Sequence, residues 1–334
     1  MHKHMNTTNS AFRIPQSAIR NGISLLEVLM SIFIITIGVL GVATLLPLAT
    51  HLASRGTMAD RAAISGRNAL HTFSVREMNN PERWLKADGT TDAAFVSGAL
   101  DPTGAKAYCL DPRLIARDNT AAVFPTGGTP TMQRITLKQS ATTATAMNTL
   151  LADEAFTLQD DLHFTVPDDD VSPPVQRMFT GNEKRLTDGE FSWLATLVRE
   201  GPGDRYTLSA VVFIKRNTPA AAQEINIPAA NVTMYGGIGG GELTLNLAAA
   251  GLSAAQLITA NESLVGGNWV MLSSGSVFRW YRILYVSEFD GTQRNITVAG
   301  RDWSAGNPQV TIIPGAIAAY ERTVRLETSS LWQP

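Results

Sequence analysis

The longest apolar stretch of the chain lies near its N-terminus, over residues 23–52. Between Val28 and Ala53 there is no Lys, Arg, Asp or Glu. At about 1.5 Å of rise per helical residue, a run of this length crosses a hydrocarbon core of roughly 30 Å. The pattern therefore predicts a membrane-spanning helix over 23–52, with the rest of the chain attached behind it.

The pattern becomes polar after Arg55 but keeps the period of a helix. The apolar residues of this segment fall on one side of that helix: Met58, Ala62, Ala69 and Phe73. This spacing favours an amphipathic continuation over 53–80, reaching about Met78, whose apolar side packs on a sheet. An exposed stalk next to the membrane is the alternative interpretation. The sequence Asn79-Asn80-Pro81 marks the end of the helix.

Residues 81–334 form a head with the alternating pattern and turn residues of β-structure, after a loop-rich insertion over 82–130. The strongest feature is a hairpin whose strands, 191–198 and 206–214, flank a turn rich in glycine. Asp290-Gly291 marks a second hairpin turn. Further strands are predicted over 132–138, 242–247, 269–273, 278–288, 294–299, 310–313 and 323–327. A long helix followed by strands predicts an α+β fold in which the helix lies on an antiparallel sheet.

Composition and charge exclude several classes of function. The chain has 334 residues and a formal net charge of -2, so we expect no nucleic-acid partner. Cys109 is the only cysteine, so no intramolecular disulfide can form. Of the five histidines only His163 lies beyond the predicted helix, and no GxSxG motif is present. We therefore expect neither an enzyme nor a cofactor.

One carboxylate, Glu27, lies at the start of the apolar stretch. A charged side chain in a membrane segment costs on the order of 3 kcal/mol, so a plain anchor is not expected to carry it. Gly22 directly precedes Ile23, and Glu27 is the fifth residue when Ile23 is counted as the first. These three residues resemble the class III signal of type IV pilins and type II secretion pseudopilins. The head, from Trp193 to Trp332, more loosely resembles the large minor pseudopilin-like proteins of Planctomycetes.

The resemblance implies a processing step and a set of partners. In this family a prepilin peptidase cuts after the glycine, here Gly22, and N-methylates the new first residue, here Ile23. Residues 1–22 would then be a cleaved leader. The implied partners are other pilins or pseudopilins, the peptidase, an inner-membrane assembly platform with its ATPase, and membrane lipid. An ordinary secretory signal cut near Ala53 and an uncut anchor are the alternatives.

The cut would give Glu27 a partner. Residues at i and i+4 lie one above the other on a helix, so the new ammonium of Ile23 would lie beside the Glu27 carboxylate. Either the chain pairs these groups internally, or Glu27 of an incoming subunit pairs with the amine of an assembled one, as the resemblance implies. The leader contains Lys3, Arg13 and Arg20 and no acid, which predicts a cytoplasmic N-terminus. The head would then lie in the periplasm or at the cell surface, behind a single pass through the inner membrane.

Three residues should weaken the membrane helix locally. Gly38 and Gly41 each cost about 1 kcal/mol relative to alanine, and Pro47 removes a backbone donor at a larger cost. In the family this part of the helix unwinds during assembly. Pro47 lies later than in many pilins, so the position of a bend stays open.

Two other motifs have weak chemical interpretations. The glycine run 236–241 has neither the Lys-Ser/Thr of a P-loop nor the GxGxxG spacing, and it predicts a mobile loop. Asp168, Asp169 and Asp170 are a candidate calcium site, although the prolines around them favour a solvated loop. The leading hypothesis is therefore a structural pilin-like subunit. The alternative is a pilin-anchored recognition or adhesion head, because the head is large for the family.

Overall fold

The computed structural model describes residues 24–91, 107–140, 144–158, 189–200, 205–216 and 224–326. The chain divides into two compact units, residues 1–58 and 59–334. Helix α1 (Leu25–Val75) contributes residues to both units.

In the first unit the described residues form the N-terminal part of α1. Among all described residues, α1 is the one helix that is long and apolar enough to cross a membrane. Its most apolar window of 18 residues has a mean hydropathy of 2.5, and none of that window is buried. The predicted long N-terminal helix is confirmed, and it runs without a break through Pro47.

The second unit contains two β-sheets and short helices. The helices after α1 are α2 (Pro112–Ile115), α3 (Thr149–Phe156) and α4 (Ala254–Ser263), with 3-10 turns at Pro81–Arg83 and Ala229–Asn231. The strands are β1 (Trp84–Lys86), β2 (Tyr108–Leu110), β3 (Val123–Phe124), β4 (Met132–Leu137), β5 (Phe191–Arg199), β6 (Arg205–Ile214), β7 (Ile225–Ile227), β8 (Val232–Gly237), β9 (Gly240–Asn246), β10 (Trp269–Ser274), β11 (Val277–Val286), β12 (Gln293–Ala299), β13 (Gln309–Ile312) and β14 (Ala316–Arg325).

The two sheets use the strands in different orders. The first sheet has the order β1-β4-β2-β5-β6-β14, with β3 also paired to β4. The second sheet has the order β7-β13-β10-β11-β12-β9-β8. The described strand pairs are antiparallel apart from β2 and β4, which run parallel. The chain enters the second sheet at β7 and returns to the edge of the first sheet as β14.

Three apolar clusters arrange this unit in four layers. The second part of α1 packs with α3 on one face of the first sheet, where Phe73 and Phe156 meet Trp193. The opposite face of the first sheet contacts the second sheet, and a separate cluster there includes Phe213 and Trp280. Helix α4 covers the far face of the second sheet in a third cluster. The order of layers is therefore helix, sheet, sheet, helix.

Helix α1 ends at Val75, before the predicted Met78, in a C-terminal turn that the sequence does not mark with glycine. Met78 donates its N–H to the carbonyl of Phe73 at 3.0 Å, and Glu77 donates to Ser74 at 3.2 Å. Glu77 has a φ of 52°, the left-handed conformation in which a glycine is common at this point of a helix end. The hydrogen-bond pattern is that of a Schellman motif, which stops the helix.

Several sequence predictions are confirmed, and others are wrong. The α+β class and the hairpin of β5 and β6 are confirmed. The prediction of a single sheet is wrong, because β7 to β13 form a second sheet. The glycine run is not a loop, since Gly237 and Gly240 pair in the β8–β9 hairpin. A Cβ at Gly240 would overlap the carbonyl oxygen of Val298, so close strand approach explains that glycine. The segment 82–130, predicted to be a loop-rich insertion, contains the short strands β1, β2 and β3. Helix α4 was not predicted from the sequence.

Candidate functional site

The start of α1 carries the acidic residue that the sequence singles out. Ser24 caps the helix: its hydroxyl accepts the N–H of Glu27 at 3.2 Å, and its carbonyl accepts the N–H of Val28 at 3.2 Å. Glu27 therefore occupies the third helical position after the cap, where a carboxylate lies at the positive end of the helix dipole. Gly22 and Ile23 lie outside the described residues. The capping role of Ser24 was not predicted, although the Ser-x-x-Glu signature is present in the sequence.

The carboxylate of Glu27 is exposed, and no hydrogen bond or ion pair joins it to another described side chain. The other polar side chains along the apolar part of the helix mostly bond to its own backbone. Ser31 donates to the carbonyl of Glu27 at 2.8 Å, and Thr36 donates to that of Ile32 at 2.6 Å. Thr44 and Thr50 donate in the same way, to the carbonyls three residues before them. Glu27 is thus the charged residue at the start of this stretch, and it has no partner among the described side chains.

The predicted weak points lie within an unbroken part of the helix. A Cβ added at Gly38 or Gly41 would meet no described atom within 4 Å outside its own stretch of helix, so close packing does not explain these glycines. Pro47 lies inside the helix and lacks the N–H that would reach the preceding turn. The structure places these residues on one exposed helical segment, and local unwinding there stays a prediction.

The candidate calcium ligands Asp168, Asp169 and Asp170 lie outside the described residues. Within the described ranges, no group of three or more His, Cys, Asp or Glu side chains is close enough to hold a metal ion.

A buried ionic cluster joins the two sheets of the head. Arg134 in β4 lies 2.5 Å from Asp111 and 2.8 Å from Glu224, and its side chain is fully buried. Arg216, just after β6, bonds both oxygens of Asp111 at 2.9 and 2.6 Å. Glu224 also accepts the backbone N–H of Thr126 at 2.7 Å. The charges of these four side chains balance, and the cluster connects both sheets because Glu224 directly precedes β7.

The electrostatics of this cluster favour its charged state. Burial alone would raise the pKa of Asp111, but Arg216 and Arg134 outweigh it and hold that pKa at about 2. Burial raises the pKa of the nearby Cys109 thiol well above its ordinary value. A carboxylate held ionised between two arginines and a thiol held protonated are suited to structure rather than to proton transfer.

Several cavities among the described residues of the head contain polar groups, with ion pairs in their walls. One, of about 480 Å³, lies where the first sheet meets the β10–β11 turn, and in it Arg301 pairs with Glu200 and, at 3.4 Å, with Glu321. Another, of about 360 Å³, lies beside α1 over Trp193, with the pair Arg76–Glu154 at 3.6 Å on its wall. Their charged groups are mainly paired with each other, which indicates structural ion pairs in these walls.

No protein-family model, curated protein or solved structure matches this chain. The function is therefore argued from its own residues and geometry.

Proposed function

We propose that this protein is a structural subunit of a pilin-like filament, a minor pilin or type II secretion pseudopilin. The apolar part of α1 anchors it in the cytoplasmic membrane, and the four-layer head lies outside the cytoplasm. A prepilin peptidase cuts after Gly22, and the chain joins the filament through its N-terminal helix. Its partners are other pilin-like subunits and the assembly platform with its ATPase, and its work is mechanical.

The observation that carries the proposal is that Glu27 has no partner among the described side chains, at the start of an apolar helix whose hydroxyls bond to its own backbone. A carboxylate in a membrane segment is costly unless a cation pairs with it. The ammonium of Ile23 on a neighbouring subunit is a cation of the right charge at the right depth. Pairing of these two groups sets the axial register between subunits, because a shift of either helix leaves both charges unpaired.

The first test is the mature N-terminus. We expect mass spectrometry of the protein from its native cell to find N-methylated Ile23 as the first residue. An intact Met1 or a new terminus near Ala53 contradicts the proposal, because neither exposes an amine beside Glu27.

The second test separates charge pairing from helix capping. Glutamine also serves the capping position of Glu27, but it carries no charge. We expect Glu27→Gln and Glu27→Leu both to remain in the membrane fraction and both to lose co-purification with the other filament subunits. If Glu27→Gln assembles as well as the parent while Glu27→Leu does not, the carboxylate acts only in capping and the pairing mechanism is wrong.

A recognition or adhesion head is the second candidate function. The observation that favours it is the second sheet, which adds two layers beyond a helix packed on one sheet. On one face of that sheet, Tyr235 and Tyr285 are exposed among polar side chains. A subunit of this kind would display its head on the filament or at the cell surface.

A further inference from the structure

Four strands of the second sheet present a row of side chains on one face. Tyr235 in β8 pairs with Glu242 in β9, which pairs with Thr297 in β12, which pairs with Tyr285 in β11. The register between β11 and β12 shifts at Leu284, directly before this last pair. Directly paired residues in antiparallel strands point to the same side of a sheet. The two tyrosines therefore mark the ends of one row, about 14 Å apart across three inter-strand spacings.

This row lies on the side of the second sheet that the first sheet covers only in part. Trp280, earlier on β11, points to the same side and is buried against the first sheet. Farther along this side, Tyr235 and Tyr285 are 66% and 64% exposed. We call the uncovered part of β8, β9, β12 and the end of β11 the open face.

The open face is polar and almost free of net charge. The next row along it contains Thr233, Thr244 and Asn295. Its charged side chains are one acid, Glu242, and one base, Arg282, which lies opposite Ala299 in the adjoining row. In the described part of the chain, no hydrogen bond occupies the tyrosine or threonine hydroxyls of these rows. The open face thus offers free hydroxyl and amide groups between two aromatic rings.

The edge of the open face is held in a fixed position. At the tip of the β8–β9 hairpin, Gly239 donates its N–H to Asp302 at 2.7 Å and accepts the N–H of Gly300 at 3.0 Å. Met234 donates its N–H to Asn307 at 3.2 Å. The tyrosine on β8 is therefore presented by a braced hairpin, which lowers the entropy cost of binding a ligand across the strands.

We propose that the open face binds a neutral polysaccharide. A sugar ring has an apolar face of C–H groups that packs on an aromatic ring, and hydroxyls at its edge that exchange hydrogen bonds with hydroxyl, amide and carboxylate groups. Tyr235 and Tyr285 stack on two sugar rings of one extended chain. Glu242 and Thr297 bond to the hydroxyls of the sugars between them.

The chemistry of the open face disfavours the other classes of ligand. Nucleic acid and acidic glycans need a cationic excess, whereas here Arg282 is balanced by Glu242. A lipid surface needs a continuous apolar patch, whereas here the exposed Leu284 next to Tyr285 is separated from Tyr235 by the polar side chains of Thr297 and Glu242. The balance of charge, the free hydroxyls and the spaced rings together fit an uncharged, hydroxyl-rich polymer.

The test uses the full-length chain in a detergent without a sugar headgroup, mixed with insoluble cellulose, chitin or β-1,3-glucan and sedimented. We expect retention on at least one of the three polymers. Tyr235→Ala/Tyr285→Ala should weaken retention roughly tenfold, the loss expected for two ring contacts. Tyr235→Phe/Tyr285→Phe keeps the rings and should keep most of the binding. Ile258→Ala is the matched control, because it removes an exposed apolar side chain from α4, on the other side of the sheet.

Thr297→Glu is a second variant, which places a second negative charge in the middle of the row and should also weaken retention. Absence of retention on all three polymers, or equal retention of the parent and the double alanine variant, overturns the proposal. Loss of co-purified subunits in the double alanine variant, without retention of the parent on any polymer, overturns it in favour of a protein partner. Glu27→Gln should retain full polysaccharide binding, so this result is separate from that of the assembly test.

Discussion

Replacement of Arg134 by methionine tests the role of the buried ionic cluster. Arg134→Met keeps a long side chain in the core but removes the cation between Asp111 and Glu224. Asp111 retains Arg216, at 2.6 Å. Glu224 retains a backbone N–H donor but loses the guanidinium that lies 2.8 Å away. The substitution therefore leaves one buried carboxylate without a counter-charge.

The expected loss follows from the burial of both partners. The side chain of Arg134 is 0% exposed and that of Glu224 is 4% exposed, so water cannot replace the lost cation. Removal of one partner from a buried ion pair costs about 3–5 kcal/mol. For a domain of this size each kcal/mol lowers the melting temperature by about 2–4 °C, so we expect a decrease of roughly 6–20 °C.

The assay is thermal unfolding of the full-length chain in detergent micelles, followed by tryptophan fluorescence. All six tryptophans lie beyond residue 80, so the signal reports on the head. Arg322→Met is the matched control, because Arg322 is exposed on β14 and should change stability by no more than about 0.5 kcal/mol. Adding Glu224→Gln to Arg134→Met should recover part of the loss, since it removes the unpaired charge. Equal melting of Arg134→Met and Arg322→Met, or additive losses in the double variant, would refute the reasoning.

Three further predictions concern other parts of the head. A Cβ at Gly66 would overlap the ring of Tyr320, so Gly66→Ala should lower the melting temperature by the equivalent of about 1–3 kcal/mol, whereas Gly56→Ala, with open space around it, should not. The pKa of Asp111 is lowered from 3.8 to about 2 in the folded head, so its contribution of about 2 kcal/mol is complete above about pH 5 and is lost as the pH falls towards 2. Denaturant titrations at several pH values give the free energy of unfolding. Between about pH 5 and pH 2 this free energy should fall more steeply for the parent than for Asp111→Asn. Burial raises the pKa of the Cys109 thiol, so a maleimide should label it at pH 7 only after unfolding.

The parts of the fold that the sequence predicts are those with a local period. The strands over 191–198 and 206–214 alternate side chains between two buried faces and are close together in the sequence, so their pairing needs no information from the rest of the chain. The long helix likewise follows from its uninterrupted apolar residues. Helix α4 was not predicted although a local signal exists, because Ser253 and Gln256 form a capping box at its start.

The second sheet could not be predicted, because its identity depends on pairing between distant strands. In the sequence, β7 follows β6 of the first sheet and precedes β8 of the second sheet. In the structure it pairs with β13, more than eighty residues later. The period of a strand gives its two faces but not its neighbours, so a single sheet and two stacked sheets share one sequence pattern. Which side chains of the second sheet stay exposed depends on that stacking, so the open face was hidden for the same reason.

The buried ionic cluster was equally hidden. Arg134 lies on β4 among residues with the pattern of an ordinary strand, and its partners Asp111 and Glu224 are 23 and 90 residues away in the chain. A charged side chain in a strand is usually solvated, so the sequence favours exposure. The arginine is buried with both carboxylates as partners, and Glu224 reaches it from the segment that enters the second sheet.

Two physical explanations of Glu27 are separable by their dependence on charge. Capping explains the position of the residue, since Ser24 accepts its N–H and the third helical position favours a side chain that reaches back. Capping does not explain the carboxylate, because glutamine fills the same position without the cost of a charge in a membrane segment. The adjacent hydroxyls of the helix bond to its own backbone and offer the carboxylate no donor. Under the proposed function the charge is kept because a cation pairs with it, either the chain's own new amine at Ile23 or that of another subunit, and the glutamine variant decides between pairing and capping.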